Sequence, residues 1–225
     1  MPDCVLVDND VVLKACCFNL ADEAVTATTV RGIPPAMLGV GKYVVRGRLC
    51  RARNIVDRER ANAEFERFSQ AASFLEPDEA ELILAADLEA EASRLNLELD
   101  GGESQLLAIL VVRGCRLLLT GDKRAITAIS VIATEMAKAR IACFEQLISH
   151  ITRMLGSAAV RLKVCSEPDA DRASSLCFSC SRELGPGDAE VLAALASYIG
   201  DVDRNAPGIL ISGTDLGALA ADADI

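Results

Sequence analysis

Tryptophan is absent, histidine occurs once, and aromatic residues make up only 4% of the 225-residue chain. A single histidine excludes a histidine-rich metal centre and leaves zinc poorly supported. The shortage of rings means that Ala, Leu, Ile and Val must fill the core, as in helix-rich α/β folds. Long apolar runs are missing too. The longest, near residue 110, is broken by Arg113 and Arg116, short of the ~18 residues that a membrane span needs. Met1-Pro2-Asp3-Cys4 carries no basic n-region of a signal peptide. A soluble, cytoplasmic protein with no membrane partner is the expectation. One further gap matters later: no Asp or Glu occurs between Glu23 and Asp57.

What is present is hydrophobic content of 51%, ample for one large domain or one domain with an appendage. The nine cysteines read most simply as small buried hydrophobes in a reducing compartment. Cys177-Phe178-Ser179-Cys180 is the one C-x-x-C pair, with Cys165 nearby. The net charge of −10 argues against a large nucleic-acid-binding surface. It is uneven, however. Lys42, Arg46, Arg48, Arg51, Arg53, Arg58 and Arg60 face only Asp57 and Glu59. This patch reads either as a solvated helix face or as a clamp for a polyanion.

Short aliphatic runs bounded by polar residues read as buried parallel strands. Cys4–Asp8, Arg116–Thr120 and Ile141–Phe144 fit, with a helix Val11–Leu20 after the first. Pro34-Pro35 is expected to start a helix running through the basic patch. Asp57 caps a third helix with Phe65, Phe68, Ala72 and Leu75 on one face. Pro77 opens a fourth, with Leu82, Ile83 and Ala86 inside. Asp100-Gly101-Gly102-Glu103 has capping-box spacing before Ser104–Val112, and further helices start at Asp122 and span Glu145–Leu155. The alternation predicts a mainly parallel sheet sandwiched between helices over residues 1–156, with a helical extension over 157–225. Cys165–Pro186 reads as a connector or lid. Asp188 and Ile209 through Asp215 weakly echo Glu103 and Leu117 through Asp122, so the extension is a partial repeat or simply packs on the same domain.

In open α/β sheets ligands bind past the carboxyl ends of the strands. Asp8-Asn9-Asp10 follows Val5-Leu6-Val7, and Thr120-Gly121-Asp122-Lys123 follows Leu117-Leu118-Leu119. Carboxylates delivered there can share a divalent cation. Asp8, Glu103 and Asp122 are the candidate catalytic acids, Asp10 joins them as a metal ligand, and Asp100 and Thr120 are supporting groups. Lys14, Lys123, Arg124, Arg46 and Arg48 are candidates for holding phosphate. Asp169 and Asp171 could complete the site, form a lid or only pack. Each acid also sits at an expected helix start, where capping alone would explain it. Capping does not explain Asp8 and Asp10 together.

Val5 through Leu13 resembles the opening motif of PIN-domain ribonucleases, a hydrophobic strand ending in Asp. Gly102-Glu103, Leu106-Leu107-Ala108, Gly114 and Leu117 through Lys123 are similar to the same family's later motif, covering with the first roughly residues 4–20 and 100–150. The resemblance implies an α/β/α sandwich, RNA cleavage with Mg²⁺ or Mn²⁺, and metal-binding roles for Asp8, Glu103 and Asp122. It also implies an RNA partner and an antitoxin-like protein partner; a homo-oligomer stays open. The chain departs from the family in lacking a Glu on a helix about 40 residues in, for which Glu76, Asp78, Glu79 or Glu81 would have to substitute. Two other readings stay open. One is a degenerate PIN-like module that binds without cutting. The other is a haloacid-dehalogenase-like phosphatase with Asp8 as nucleophile, Asp10 as acid/base and Thr120 on the phosphate, for which Asp215 with Asp222 is a poor downstream motif.

Overall fold

A computed structural model describes residues 3–52 and 55–221; Met1, Pro2, Arg53 and Asp222 lie outside them. Strand β1 (Val5–Val7) is followed by helices α1 (Asn9–Cys17) and α2 (Ala21–Thr28), then β2 (Ala36–Leu38), α3 (Gly41–Arg51) and α4 (Arg58–Ala71). Next come β3 (Ser73–Leu75), α5 (Glu79–Arg94), α6 (Gly101–Val112), β4 (Leu117–Thr120), α7 (Lys123–Ile132) and α8 (Thr134–Ala137). The remainder is β5 (Ile141–Cys143), α9 (Phe144–Leu155), α10 (Ser157–Val164), α11 (Arg172–Cys177), α12 (Asp188–Asn205) and α13 (Ala218–Ala221).

The strands form one parallel sheet in the order β3-β2-β1-β4-β5. Pairing of Val5 with Leu117 and Val7 with Leu119 sets the carboxyl ends of β1 and β4 side by side. The chain winds one way from β1 to β3 and the other way through β4 and β5. The crevice between β1 and β4 is therefore the topological switch point where such sheets bind ligands.

Alternate residues of each strand face opposite sides, and each side has its own core. Val5, Val7, Met37, Leu117 and Leu119 pack with Phe18, Phe65, Phe144 and Leu195. Leu6, Ala36, Leu38, Leu118 and Ile141 pack with Leu88, Leu107, Ile126 and Val202. Helices thus cover both faces of a sheet whose strands are buried throughout except at β3.

The extension joins both cores, through Val160, Phe178, Val191 and Leu195 on one side and Ile199, Val202 and Ile209 on the other. The Ile209–Ile211 segment lies alongside β5: Ile141 N–H donates to Ile209 O at 3.0 Å and Ile211 N–H to Ile141 O at 2.8 Å.

Several local expectations need correction. Pro34-Pro35 opens no helix; β2 follows at once, and the helix through the basic patch begins only at Gly41. The first helix stops at Cys17, where Asn19 takes φ 54°, and a separate α2 begins at Ala21. Leu75 belongs to β3, not to the α4 face. On α5, Leu82, Ile83 and Ala86 are exposed; the buried stripe is Glu81, Ala85, Leu88 and Ala92. That rotation lets Arg113 pair with the buried Glu81 carboxylate at 2.6 Å.

The cysteines divide. Cys165 and Cys180 form a disulfide, so the C-x-x-C pair does not close on itself. Cys50 is exposed, and the other free cysteines, Cys177 included, are buried.

Candidate active site

A cleft of about 480 Å³ opens at the carboxyl ends of β1 and β4. Five carboxylates line it: Asp8, Asp10, Asp100, Glu103 and Asp122. They arrive on separate elements. Asp8 ends β1 and caps α1, Asp100 and Glu103 start α6, and Asp122 follows β4 and caps α7. The two motifs meet directly, because Asp8 N–H donates to Leu119 O at 2.9 Å.

Four of the five, all but Asp10, spend one oxygen on a helix start. Asp8 Oδ1 accepts the Asn9 N–H at 2.7 Å, and its Oδ2 accepts the Thr120 hydroxyl at 3.3 Å. Asp100 Oδ1 accepts from Gly102 and Glu103 N–H, while Glu103 Oε2 accepts the Asp100 N–H at 2.9 Å, closing the capping box. Asp122 Oδ1 accepts from Arg124 N–H at 2.8 Å. Capping therefore accounts for one oxygen of each of these four carboxylates, and Arg124 also reaches Asp122 Oδ2 at 3.3 Å. Among the described residues no hydrogen bond reaches Glu103 Oε1.

Burial has an electrostatic consequence. Removal from water pushes the Asp8 carboxyl up to about 6, opposed by the Asn9 N–H and reinforced by Asp10 and Asp100. Glu103 is pushed up to about 8, mainly by burial, with the charges of Asp100, Asp8 and Asp122 adding to it. Asp122 stays below the ordinary carboxylate range, because hydrogen bonds from Arg124 and the helix start outweigh its burial. One carboxyl is thus held below the ordinary range beside two pushed above it, and a cation among them would offset that rise.

Asp10 behaves differently, since it caps nothing. It pairs with Lys14 at 2.8 Å and lies 3.7 Å from Arg48. Gly121 leaves room for this arrangement: a Cβ there would stand 2.5 Å from Asp10 Oδ2.

The cations expected to hold phosphate are distributed unevenly. Arg48, Lys123 and Arg124 line the cleft. Lys123 is tied to the buried Glu145 at 2.7 Å, with its ammonium 4.9 Å from the Tyr198 ring centre, and Arg124 to Glu98 at 2.6 Å. Lys14 sits behind the cleft, held by Asp10 and by Asp171 at 2.9 Å. Arg46 is not at the cleft and pairs with Glu66 at 2.6 Å.

Helix α3 brings Val44 and Arg48, and no carboxylate, to the cleft wall. None of Glu76, Asp78, Glu79 or Glu81 lines the cleft. Asp78 and Glu81 form a capping box at α5, and Glu81 is held by Arg113. Asp188 accepts from Ser157 N–H and Asp215 pairs with Arg153, so the echoing acids serve the extension. One partner, Glu145, escapes sequence reasoning, and for Asp171 it is the pairing with Lys14 that decides among site, lid and packing. Glu145 has a signal, an acid just past a strand end like Asp8. The role of Asp171 depends on a long-range pairing with no local trace.

No family model, no curated protein and no solved structure matches the chain. The donor chemistry fits a hard divalent cation, which prefers carboxylate oxygen. Among the described residues, no three His, Cys, Asp or Glu side chains already form a group set to hold a metal.

Proposed function

We propose that the chain is a Mg²⁺- or Mn²⁺-dependent ribonuclease of PIN-like type. The observation that carries this reading is the meeting of Asp8, Glu103 and Asp122, from three elements, in one cleft at the switch point of a parallel sheet. Asp8, Glu103 and Asp122 would hold the cation, with Asp10 beside them. When bound, such a cation activates water and offsets charge developing on phosphate during phosphodiester hydrolysis.

The chain's own groups do the rest. The capping bonds fix the acids, so each keeps its direction; Glu103 Oε1 is open to a ligand, while Asp8 Oδ2 and Asp122 Oδ2 would share theirs with the Thr120 hydroxyl and the Arg124 guanidinium. Arg48, Lys123 and Arg124 at the wall would position the phosphates of an RNA strand. The acid cluster would repel a polyanion until a cation neutralises it, which makes binding and cutting depend on the same ion.

A second reading, a PIN-like module that binds without cutting, is favoured by one observation. Helix α3 contributes Val44 and Arg48 to the cleft and no further carboxylate. An antitoxin-like protein partner belongs to either reading.

The deciding experiment incubates purified protein and its Asp8→Asn and Asp122→Asn variants with mixed RNA and Mn²⁺. Cleavage lost in both variants and on chelation supports the nuclease. Melting raised by Mn²⁺ in the wild type alone, without cleavage, supports the binding module. Cleavage retained by both variants removes the cleft from consideration. Trapping by beryllium fluoride would instead favour the phosphatase, with Asp8 as nucleophile.

A further inference from the structure

A second groove, of about 520 Å³, shares Asp10 and Arg48 with the acidic cleft and falls within the roughly 300–1,000 Å³ of small-molecule sites. Its character is different. Leu13 and Cys17 of α1, Ala52 and Ile55 beyond α3, and Ala170 before α11 give it apolar walls. Arg48 and Arg51 supply positive charge.

The groove is held open by the fold. Gly47 and Ala52 withhold bulk from the α3 side, and a Cβ at Gly47 would stand 2.8 Å from an Arg51 guanidinium nitrogen. On the opposite side, the segment carrying Ala170 is fastened at several points. Asp171 pairs with Lys14 at 2.9 Å, and the buried Glu167 accepts the N–H groups of Val56 and Asp57 at 2.7 Å each. The Cys165–Cys180 disulfide closes the same loop.

The two arginines lie three residues apart and so share a helix face. The carboxylate paired with Arg48 is Asp10, at 3.7 Å. Arg51 Nε donates to the Gly47 carbonyl at 3.1 Å, and among the described residues no carboxylate pairs with Arg51. The groove therefore sets two guanidinium groups, Arg48 already facing Asp10 and Arg51 without a carboxylate, beside an apolar recess, with Lys14 also in its lining. Guanidinium donors match phosphate geometry, and their planes also stack on flat rings.

We propose that this groove binds one nucleotide, its base against Leu13 and Ile55 and its phosphate on Arg48 and Arg51. The ligand class rests on the groove alone. Its place in a reaction, as the pocket for the nucleotide next to the one held in the acidic cleft, rests on the nuclease reading.

Calorimetric titration of the metal-free protein with adenosine 5′-monophosphate, ribose 5-phosphate and inorganic phosphate tests the proposal, using wild type, Arg51→Gln and Ala52→Phe. The nucleotide should bind more tightly than either smaller phosphate. Arg51→Gln should weaken it roughly tenfold or more, the loss expected for a charge-assisted hydrogen bond, and Ala52→Phe should block it by filling the recess. Because Arg51 is exposed, its variant keeps the test valid if Ala52→Phe misfolds. Inorganic phosphate binding as tightly as the nucleotide overturns the proposal, as does wild-type affinity in the Arg51→Gln protein. Nucleotide binding sensitive to both substitutions, in a protein that cuts no RNA with Mn²⁺, sustains the groove and removes only the nuclease. RNA cleavage with nucleotide binding insensitive to both removes only the groove.

Discussion

Lys14 Nζ lies 2.9 Å from the Asp171 carboxylate, joining the first helix of the sheet to a loop near the far end of the chain. Burial alone would lower the Lys14 pKa, but Asp171 and Asp10 outweigh it and leave the ammonium more firmly charged than in water. The same contact holds Asp171 below the ordinary carboxylate range, despite its burial.

Replacing Lys14 with Met should therefore leave Asp171 without its counter-charge and Asp10 with only Arg48, at 3.7 Å. Lys14 and Asp171 side chains are only 15% and 12% exposed, so the loss should approach that of a broken buried pair, about 3–5 kcal/mol. Urea denaturation measures it. The Asp171 contribution exists above the ordinary carboxylate pKa and fades as pH falls through its depressed native value, so wild type and variant should converge in acid.

Glu103 gives the opposite pH dependence. Its carboxyl is raised from 4.5 to about 8 in the folded chain, so the folded state holds a proton that the unfolded state has released. Stability from this group is full below the unfolded value and is lost as pH rises towards about 8. Asp8, raised to about 6, adds to the early part of that decline. Glu103→Gln preserves the oxygen that accepts the Asp100 N–H. It should raise the melting temperature at the alkaline end and flatten its fall with pH. A variant profile parallel to the wild type would contradict this origin.

Gly121→Ala tests how tightly the cleft floor is packed. The added methyl meets Asp10 Oδ2 at 2.5 Å and Lys14 Nζ at 3.2 Å. Strain of about 1–3 kcal/mol is expected from such overpacking, less if the Asp10 carboxylate swings aside. Thermal denaturation reads the cost, and a crystal structure of the variant should show Asp10 displaced from Lys14.

The Cys165–Cys180 bridge closes a loop with sequence separation 15. Chain-entropy reasoning assigns a loop of that size about 3 kcal/mol. Treating the protein with dithiothreitol, or replacing both cysteines with Ser, should lower stability by an amount of that order. Hydrogen exchange should rise first around Glu167 and Asp171, the residues that tie the loop to the rest of the chain. Identical exchange in both redox states would show that the ion pairs alone hold it.

Strands β1, β4 and β5 were legible because Val5–Val7, Leu117–Thr120 and Ile141–Cys143 are short aliphatic runs bounded by polar residues. Asp8, Asp10 and Asp122 were legible for the same reason, since strand ends in a parallel sheet converge, and Asp100 and Glu103 from their capping-box spacing at α6. Strand β2 was hidden because two prolines precede only three apolar residues, a pattern equally suited to a helix start. The half-buried edge strand β3 carries a weaker signal still. Burial of Glu81 rather than Leu82 and Ile83 follows from its partner Arg113, distant in sequence. The role of Lys14 was obscured likewise, because Asp171 claims the ammonium from across the fold.

The stretch Ile209–Ile211 hydrogen-bonds along the outer side of β5, and that placement bears on how the molecules behave when concentrated. A bare parallel rim offers its donors and acceptors to any extended peptide that drifts by. Here the chain's own terminal stretch already fills that berth, so growth into a stacked polymer from this side is shut off from within.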